Sequence, residues 1–245
     1  MSTFLSLAFL FFVGSVAGWV IELIFRRFFS SENPEHRWIN PGFCTGPYLP
    51  LYGFGLCTLY YAAQLERSII TGNTIVSKAA VLVIMGVSMT VLEYIAGILC
   101  LRVAKVRLWD YSNEWGNIQG IICPRFSFFW TVLGALYYFA IHPYIMGALD
   151  WLSRNLAFSF VVGMFFGVLI IDVAHSTQLI SKLKHYADEN DVIVRYEAIK
   201  ANIRRKYATA KTKYHFFRPF RTELPLSEHL KELKDSFESI KKKLR

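Results

Sequence analysis

Cysteine is scarce in this chain, and its few copies are not arranged for chemistry. The 245 residues include 4 cysteines, which form neither a CxxC pair nor a group with histidine at the spacing of zinc ligands. The sequence therefore indicates neither a disulfide framework nor a metal cluster, and we expect no cofactor. The GxxxxGK(S/T) pattern is also missing, so the chain lacks the usual phosphate-binding loop of an ATPase.

Charge is scarce as well. Charged residues make up 18% of the chain and apolar residues 54%, which excludes an ordinary soluble domain. The apolar residues form runs close to the roughly 20 residues that cross a ~30 Å hydrocarbon core. We therefore predict an all-α integral membrane protein with about five transmembrane helices, the second being the shortest. The predicted spans are residues 4–25, 49–65, 79–101, 126–148 and 156–178.

Basic residues are concentrated in alternate connections and in the C-terminal tail. The tail after Gln178 holds 17 of the 27 basic residues and 9 of the 18 acidic ones, so it carries +8 of the net charge of +9. Because basic segments stay in the cytoplasm, the charge pattern gives the orientation expected of a multi-pass protein of the cell (plasma) membrane. Its N-terminus is expected outside and its C-terminus in the cytoplasm. Residues 1–180 are predicted to form the membrane domain, and residues 181–245 a basic helical tail.

Two spans carry a carboxylate among small residues. Gly14, Gly18 and Glu22 follow at four-residue spacing, which places them on one side of a helix that packs closely on a neighbour. Glu93 lies on a similar face of the third span, which also carries Gly86, Thr90 and Gly97. Ionisable groups at this depth are costly, which favours a shared polar cavity. Glu22 could instead be an interfacial residue paired with Arg26.

The fifth span carries Asp172 and His175, three residues apart and so adjacent on a helix surface. They are further candidates for the cavity. The alternative is a span that ends earlier and leaves both residues in water.

Helix breakers crowd the entrance to the second span. Residues 38–55 include three prolines and four glycines and no charge. Such broken backbone at membrane depth needs protein or a water-filled cavity to satisfy its polar groups. We expect a lip or re-entrant cap here, the alternative being an ordinary tight loop. In the fourth span, Pro143 is expected to kink the helix.

The loop over residues 102–130 is aromatic and polar. Asp110 followed by Ser112 favours a tight turn, and Trp109, Tyr111 and Trp115 favour an interface. The loop is expected to fold back over the helix bundle. A belt of aromatic anchors without chemistry is the alternative.

The ordered motifs of the chain resemble the ABC-transporter type IV, or CmpB-like, membrane protein family, over roughly residues 14–180. These motifs are Gly18-Trp19 with Glu22, Asn40, Gly42-Phe43, Gly46-Pro47, Pro50, Tyr52-Gly53, Leu92-Glu93-Tyr94, Trp109-Asp110-Tyr111-Ser112, Asn117-Ile118, Gly120, Ser127 and Trp130. The resemblance implies a small bacterial permease-like protein, with a cytoplasmic ATPase subunit as a candidate partner. Two arginines of the family pattern are missing, because Pro41 and Ile121 stand in their places. Their loss argues against an anionic ligand, although Arg125 could compensate.

The first functional hypothesis is a permease component that binds a small solute in a polar cavity on the cytoplasmic side. The alternatives are a membrane-embedded enzyme acting on a lipid or isoprenoid head group, with Glu22 or Glu93 as acid or base, and an assembly or regulatory protein acting through its tail. The candidate ligand-binding residues are Glu22, Asn40, Glu93, Asp110, Tyr111, Asn117 and Arg125, with Asp172 and His175 as further cavity residues.

The tail predicts two amphipathic helices with basic polar faces, over residues 192–214 and 226–244. Such helices bind anionic lipid, a second copy of the chain or a cytoplasmic protein. Membrane lipids, an ATPase subunit and a homo-oligomer are therefore the expected partners. Nucleic acid is not expected.

Overall fold

A computed structural model describes residues 2–30, 33, 35–69, 74–190, 193–196 and 198–201. This part of the chain is helical almost throughout, which confirms the prediction of an all-α membrane protein. A π-helical turn, Tyr137–Ile141, joins helix Pro124–Leu136 (α4) to helix His142–Arg154 (α5). A 3-10 turn, Leu156–Phe158, precedes helix Ser159–Asn190 (α6). The predicted tail helices lie outside the described residues, except for the start of the first. The elements are α1 Thr3–Phe28, α2 Pro50–Ile69, α3 Thr74–Ala104, β1 Val106–Arg107, α4 Pro124–Leu136, α5 His142–Arg154, α6 Ser159–Asn190 and β2 Val194–Arg195.

Four helical stretches in the described part are long and apolar enough to cross a membrane: Thr3–Phe28, Ile75–Ala104, Pro124–Arg154 and Leu156–Glu189. Fewer than a third of the residues in the most apolar window of each are buried within the bundle, which leaves much apolar surface for contact with lipid. The predicted second span corresponds to α2, which is a helix of 20 residues.

The contacts show that α2 also runs between the two ends of the bundle. Three segments meet at one end of the bundle: loop one (residues 29–49), loop three (residues 105–123) and the segment after α6. The Thr45 backbone N–H of loop one donates to Asp172 of α6, and β1 of loop three pairs with β2 of the segment after α6. Since α1 and α3 both end at this side, α2 must return to the other side between them. The chain therefore makes five passes along the bundle: α1, α2, α3, α4–α5 and α6.

Small residues set the close packing of α1 on α2. A Cβ atom added at Gly14 would lie 2.7 Å from Leu56 Cβ, and one added at Gly18 would lie 2.1 Å from Tyr52 Cγ. The GxxxG spacing read from the sequence is therefore a contact face with α2. It also brings Tyr52 to the side of α1 that carries Glu22.

Loop one penetrates the bundle instead of lying across its end. The Leu49 backbone N–H donates to the Ser15 carbonyl at 2.9 Å, and Ser15 lies 13 residues before the end of α1. At about 1.5 Å per residue, this contact is roughly 20 Å along the helix from Phe28. Loop one thus fills the part of the second pass that α2 leaves open, which agrees with the expected re-entrant cap and not with the alternative of an ordinary tight loop.

The α4–α5 pass is interrupted just before its proline. Pro143 has no backbone N–H, and in a regular α-helix its ring would clash with the carbonyl four residues earlier. The wider π-helical turn over Tyr137–Ile141 relieves this clash, and the helix continues to Arg154. Tyr137 Oη lies 2.9 Å from His142 Nδ1 beside the turn.

Candidate functional site

Glu93 on α3 is the most enclosed acidic side chain of the described bundle, at 3% exposed. Its Oε1 accepts a hydrogen bond from Tyr111 Oη at 3.1 Å, and its Oε2 accepts one from Trp130 Nε1 at 2.9 Å. Both donors are neutral. The burial arises because the small residues on this face of α3 let α4 approach closely; a Cβ at Gly86 would lie 2.2 Å from Thr131 Oγ1.

Glu22 on α1 lies on the other side of an aromatic pair. It accepts a hydrogen bond from Tyr52 Oη at 3.0 Å and one from Arg26 Nε at 2.9 Å. The rings of Tyr52 and Trp130 are 5.3 Å apart, centre to centre. Tyr52 and Trp130 thus join the two carboxylates, and the expected pairing of Glu22 with Arg26 coexists with this contact. We call Glu22, Tyr52, Glu93, Tyr111 and Trp130 the polar cluster.

Loop three covers the polar cluster through Tyr111. The Tyr111 ring stacks on Phe126 of α4, with ring centres 4.3 Å apart and an angle of 8° between the ring planes. This stacking aims the hydroxyl at Glu93, and the buried, negatively charged surroundings hold the pKa of Tyr111 above its ordinary value. Tyr111 therefore remains a neutral donor.

Asp110, predicted as a ligand-binding residue, organises loop three. Its Oδ1 accepts hydrogen bonds from the Ser112 backbone N–H at 3.0 Å and from Arg107 Nη1 at 2.6 Å, and its Oδ2 lies 3.3 Å from Arg195 Nη2. Partial burial alone would raise the pKa of Asp110. The hydrogen bonds from Ser112 and the charge of Arg107 outweigh it and lower the pKa below its ordinary value.

Asn117 also acts within the loop. Its Nδ2 donates to the Glu114 carbonyl at 2.9 Å, and its Oδ1 accepts from the Gly120 backbone N–H at 3.0 Å. Gly120 has a φ of 67°, a conformation that favours glycine, and a Cβ there would lie 2.4 Å from Arg107 Nη1. The Asn-Ile-x-Gly motif therefore builds the turn that returns the loop to α4.

Arg125 is not brought to the carboxylates. Its side chain is 63% exposed, and Nη1 lies 3.1 Å from Glu114 Oε1. The guanidinium also lies 5.8 Å from the Phe126 ring centre. These contacts place Arg125 on the outer side of loop three, beside Glu114.

Asp172 on α6 anchors loop one. Its carboxylate accepts hydrogen bonds from Thr45 N at 3.0 Å, Thr45 Oγ1 at 2.6 Å and Gly46 N at 2.7 Å, and a further one from the Tyr48 hydroxyl. These bonds satisfy the broken backbone that the prolines and glycines create. His175 is exposed and takes no part in this group.

Asn40 lies inside loop one and is 1% exposed. Its Oδ1 accepts from Trp19 Nε1 at 2.8 Å, and its Nδ2 donates to the Cys44 carbonyl at 3.1 Å. The Asn40 side chain thus ties loop one to α1 one turn before Glu22. Among the described residues, no group of three or more His, Cys, Asp and Glu side chains is placed to hold a metal ion.

The structure brings Glu22, Glu93 and Tyr111 together, while Asp110, Asn117, Asn40 and Asp172 hold the loops around them. Sequence reasoning missed Tyr52 and Trp130 as site residues, because an aromatic residue in an apolar span is usually core. Their polar atoms could have indicated a role in the site, since a buried hydroxyl or indole N–H needs a hydrogen-bond acceptor. Lys200, described below, was also missed.

Comparison with known families identifies the family of this chain. A family model described as "Putative ABC-transporter type IV" matches residues 9–177, which include the whole polar cluster and both loops. Searches of curated proteins and of solved structures found no significant match. Because the family model covers more than half of the chain, the resemblance read from the motifs is confirmed. The chain belongs to the Putative ABC-transporter type IV family.

Proposed function

We propose that this protein is the membrane-spanning component of a transporter and that its polar cluster binds a small solute entering from the cytoplasm. The observation that carries the proposal is Glu93. An ionised carboxylate at 3% exposure costs several kcal/mol unless it is compensated, and such a group inside a membrane bundle is typically functional.

The charge balance of the cluster favours a cationic solute. Arg26 compensates Glu22, whereas Glu93 receives hydrogen bonds only from a phenol and an indole. With both carboxylates ionised, the group formed by the cluster and Arg26 lacks one positive charge. A ligand with an ammonium group supplies it, and the faces of Tyr52 and Trp130 add cation–π attraction.

The cluster lies next to loop three, through the bond of Tyr111 to Glu93, and so toward the end of the bundle that carries loops one and three. These loops and the tail hold most of the basic residues, so this end faces the cytoplasm under the positive-inside rule. For a solute to reach Glu93 from this side, loop three must withdraw the Tyr111 hydroxyl. Tyr111 is then a gate residue whose bond to Glu93 is exchanged for a bond to the ligand.

The energy for transport comes from a separate subunit in this proposal. The sequence has no Walker A pattern, and the family is one of ABC transporters, whose power source is ATP hydrolysis. A cytoplasmic ATPase subunit is therefore the proposed partner. Its binding surface would lie at the end of the bundle formed by loops one and three.

A ligand panel tests the proposed site. The purified protein in mild detergent is melted with small primary, secondary and quaternary ammonium compounds, and with neutral alcohols and carboxylates of matched size. A ligand present at 100 times its Kd stabilises the folded state by about 2.7 kcal/mol. We expect a rise in Tm with one class of ammonium compound only.

Two variants make the test specific. Glu93→Gln keeps the shape of the side chain and removes its charge, so the ligand-induced rise in Tm should disappear. Glu189→Gln changes an exposed carboxylate of α6 and should keep the rise. Stabilisation by carboxylates or alcohols, or an unchanged rise in Glu93→Gln, would contradict the proposal.

A further inference from the structure

A short segment after α6 contacts both loops that surround the polar cluster. Val194 and Arg195 form β2, which pairs in parallel with Val106 and Arg107 of β1. The Val194 backbone N–H donates to the Lys105 carbonyl at 3.1 Å. Loop three is therefore tied to a segment that lies almost 90 residues later in the chain.

Apolar burial reinforces this pairing. Val106 and Leu183 are fully buried, and they pack in one cluster with Tyr196 and Ile199. Phe43 of loop one packs against the same cluster. The end of α6, the segment after it and both loops thus share one small core that is separate from the core of the bundle.

Lys200 makes the connection to loop one. It is 2% exposed, and its Nζ donates to the carbonyls of Asn40 at 2.9 Å and Gly42 at 3.3 Å. The ammonium group also lies 4.9 Å from the ring centre of Tyr196. Lysine is almost never this buried unless its charge is compensated, so these contacts mark a specific docking site for the segment.

We propose that the described residues after α6, 193–196 and 198–201, form a strap that holds loops one and three closed, and that release of the strap opens the polar cluster. The strap is connected to the polar cluster through loop one and through loop three. Lys200 holds the Asn40 backbone, and the Asn40 side chain bonds to Trp19 beside Glu22. β2 holds β1, and four residues after β1 the chain reaches Tyr111, which covers Glu93.

The strap lies outside the residues that the family model matches, which end at residue 177. The polar cluster, by contrast, lies wholly within the matched residues. The role of the strap in admitting solute rests on the proposed function, whereas its hold on the two loops does not.

Cys44 is a native reporter of strap release. It lies in loop one, is 2% exposed, and its carbonyl accepts the Asn40 hydrogen bond. Burial, followed by the nearby charge of Asp172, raises the pKa of its thiol to about 12. An exposed thiol has a pKa near 8.5, so full exposure would increase the reactive thiolate at neutral pH by roughly a thousandfold.

The experiment measures alkylation of Cys44 by N-ethylmaleimide in the full-length protein in detergent, read by mass spectrometry. In Lys200→Met, which keeps the length of the side chain and removes its charge, we expect Cys44 to react at least tenfold faster than in wild type. Lys182→Met, an exposed position on α6, should leave the rate unchanged. Cys57 of α2 reports on unfolding of the bundle and should react as in wild type.

If Lys200→Met also increases the alkylation rate of Cys57, a disulfide between the strap and loop three provides a second test of the strap. Val106→Cys with Val194→Cys places two thiols at paired positions of adjacent strands, whose backbones are about 4.8 Å apart. In a Lys200→Met background, oxidation of this pair should slow Cys44 alkylation relative to the reduced form of the same protein. Equal Cys44 rates in wild type and Lys200→Met with Cys57 protected, or equal rates in the oxidised and reduced forms, would overturn the strap. Neither measurement needs a ligand, so its outcome is independent of the ligand panel.

Discussion

Trp130 supports the charge of Glu93 through a single indole N–H. Replacing Trp130 by Phe keeps an aromatic ring and leaves one carboxylate oxygen of Glu93 without its donor. An unsatisfied buried polar group costs about 1–3 kcal/mol, and more when it is charged. We therefore expect Trp130→Phe to lower the free energy of unfolding in detergent by at least about 1–3 kcal/mol. Trp115→Phe, at an exposed position of loop three, should change it by less than about 0.5 kcal/mol.

Asp172 receives its hydrogen bonds from loop one, so its substitution tests the attachment of that loop. An amide cannot accept at both of its terminal atoms, and Asp172→Asn loses the bonds from one side of the carboxylate. Hydrogen bonds to charged groups contribute about 1.5–3 kcal/mol each. We expect Asp172→Asn to lower the stability by roughly 2–4 kcal/mol in thermal or denaturant unfolding. His175→Gln, one turn further on α6, is the matched control, and an equal loss in both variants would contradict the role given to Asp172.

Individual side chains show where sequence reasoning stops. Glu22 and Glu93 could be assigned to packed helix faces because small residues at four-residue spacing accompany them. The partner of Asp172 could not be predicted, because Thr45 lies 127 residues away and nothing local points to it. Lys200 reads as a solvated residue of a basic tail, and only the carbonyls of loop one explain its burial. Arg125 fits a ligand-binding role by charge but pairs with a neighbour in its own loop.

Helix packing predicts opposite effects on stability when alanine replaces glycine in the two glycine pairs at four-residue spacing, one on α1 and one on α6. Gly18→Ala would place a Cβ 2.1 Å from Tyr52 Cγ, so α1 and α2 must separate and the Tyr52 bond to Glu22 must weaken. Gly163 and Gly167 on α6 have nothing within 4 Å of an added Cβ. We expect Gly18→Ala to lower Tm, whereas Gly163→Ala should leave it equal or higher, since alanine is favoured over glycine in a helix by roughly 0.5–1 kcal/mol. A loss of stability in Gly163→Ala as large as that in Gly18→Ala would show that the α6 face is also packed.

Loop three should depend on the ionised form of Asp110. Because the fold lowers the pKa of Asp110, its contribution is complete above its unfolded pKa of about 3.9 and is lost as the pH falls through the lower, folded value. The stability difference between wild type and Asp110→Asn should therefore be constant above about pH 5 and shrink below about pH 4. Thermal unfolding of the two proteins from pH 7 to pH 3 measures this difference. A difference that does not change over this range would contradict the role of the charge.

The helices could be predicted from the apolar runs because a membrane requires backbone hydrogen bonds to be satisfied within each segment. The depth of loop one could be expected only in outline, from its prolines and glycines. The pairing of β1 with β2 could not be predicted, because two-residue strands carry no periodic signal and their partners are distant in sequence. The π-helical turn just before Pro143 is a local widening of the helix that the proline explains, but its exact position could not be predicted from the sequence.

Five passes, together with the cytoplasmic orientation proposed for loops one and three, predict which positions are reached from each side of the membrane. We expect single cysteines at two exposed positions, Asn113 of loop three and Lys184 near the end of α6, to react with an impermeant maleimide only after the membrane is opened. A cysteine at Arg154, the last residue of α5, should react in intact cells. Reaction of positions 113 and 154 from the same side would contradict five alternating passes.

The chain as a whole combines a helical bundle matched by its family model, a loop whose Tyr111 covers the buried Glu93, and a strap after the matched residues. The central claim is that Glu93 holds a cationic solute. Native mass spectrometry of the protein purified in mild detergent tests it most directly, by comparing wild type, Glu93→Gln and Glu189→Gln for bound small molecules. We predict a cationic small molecule bound to wild type and Glu189→Gln and largely absent from Glu93→Gln. The same molecule at wild-type occupancy in Glu93→Gln would contradict the claim.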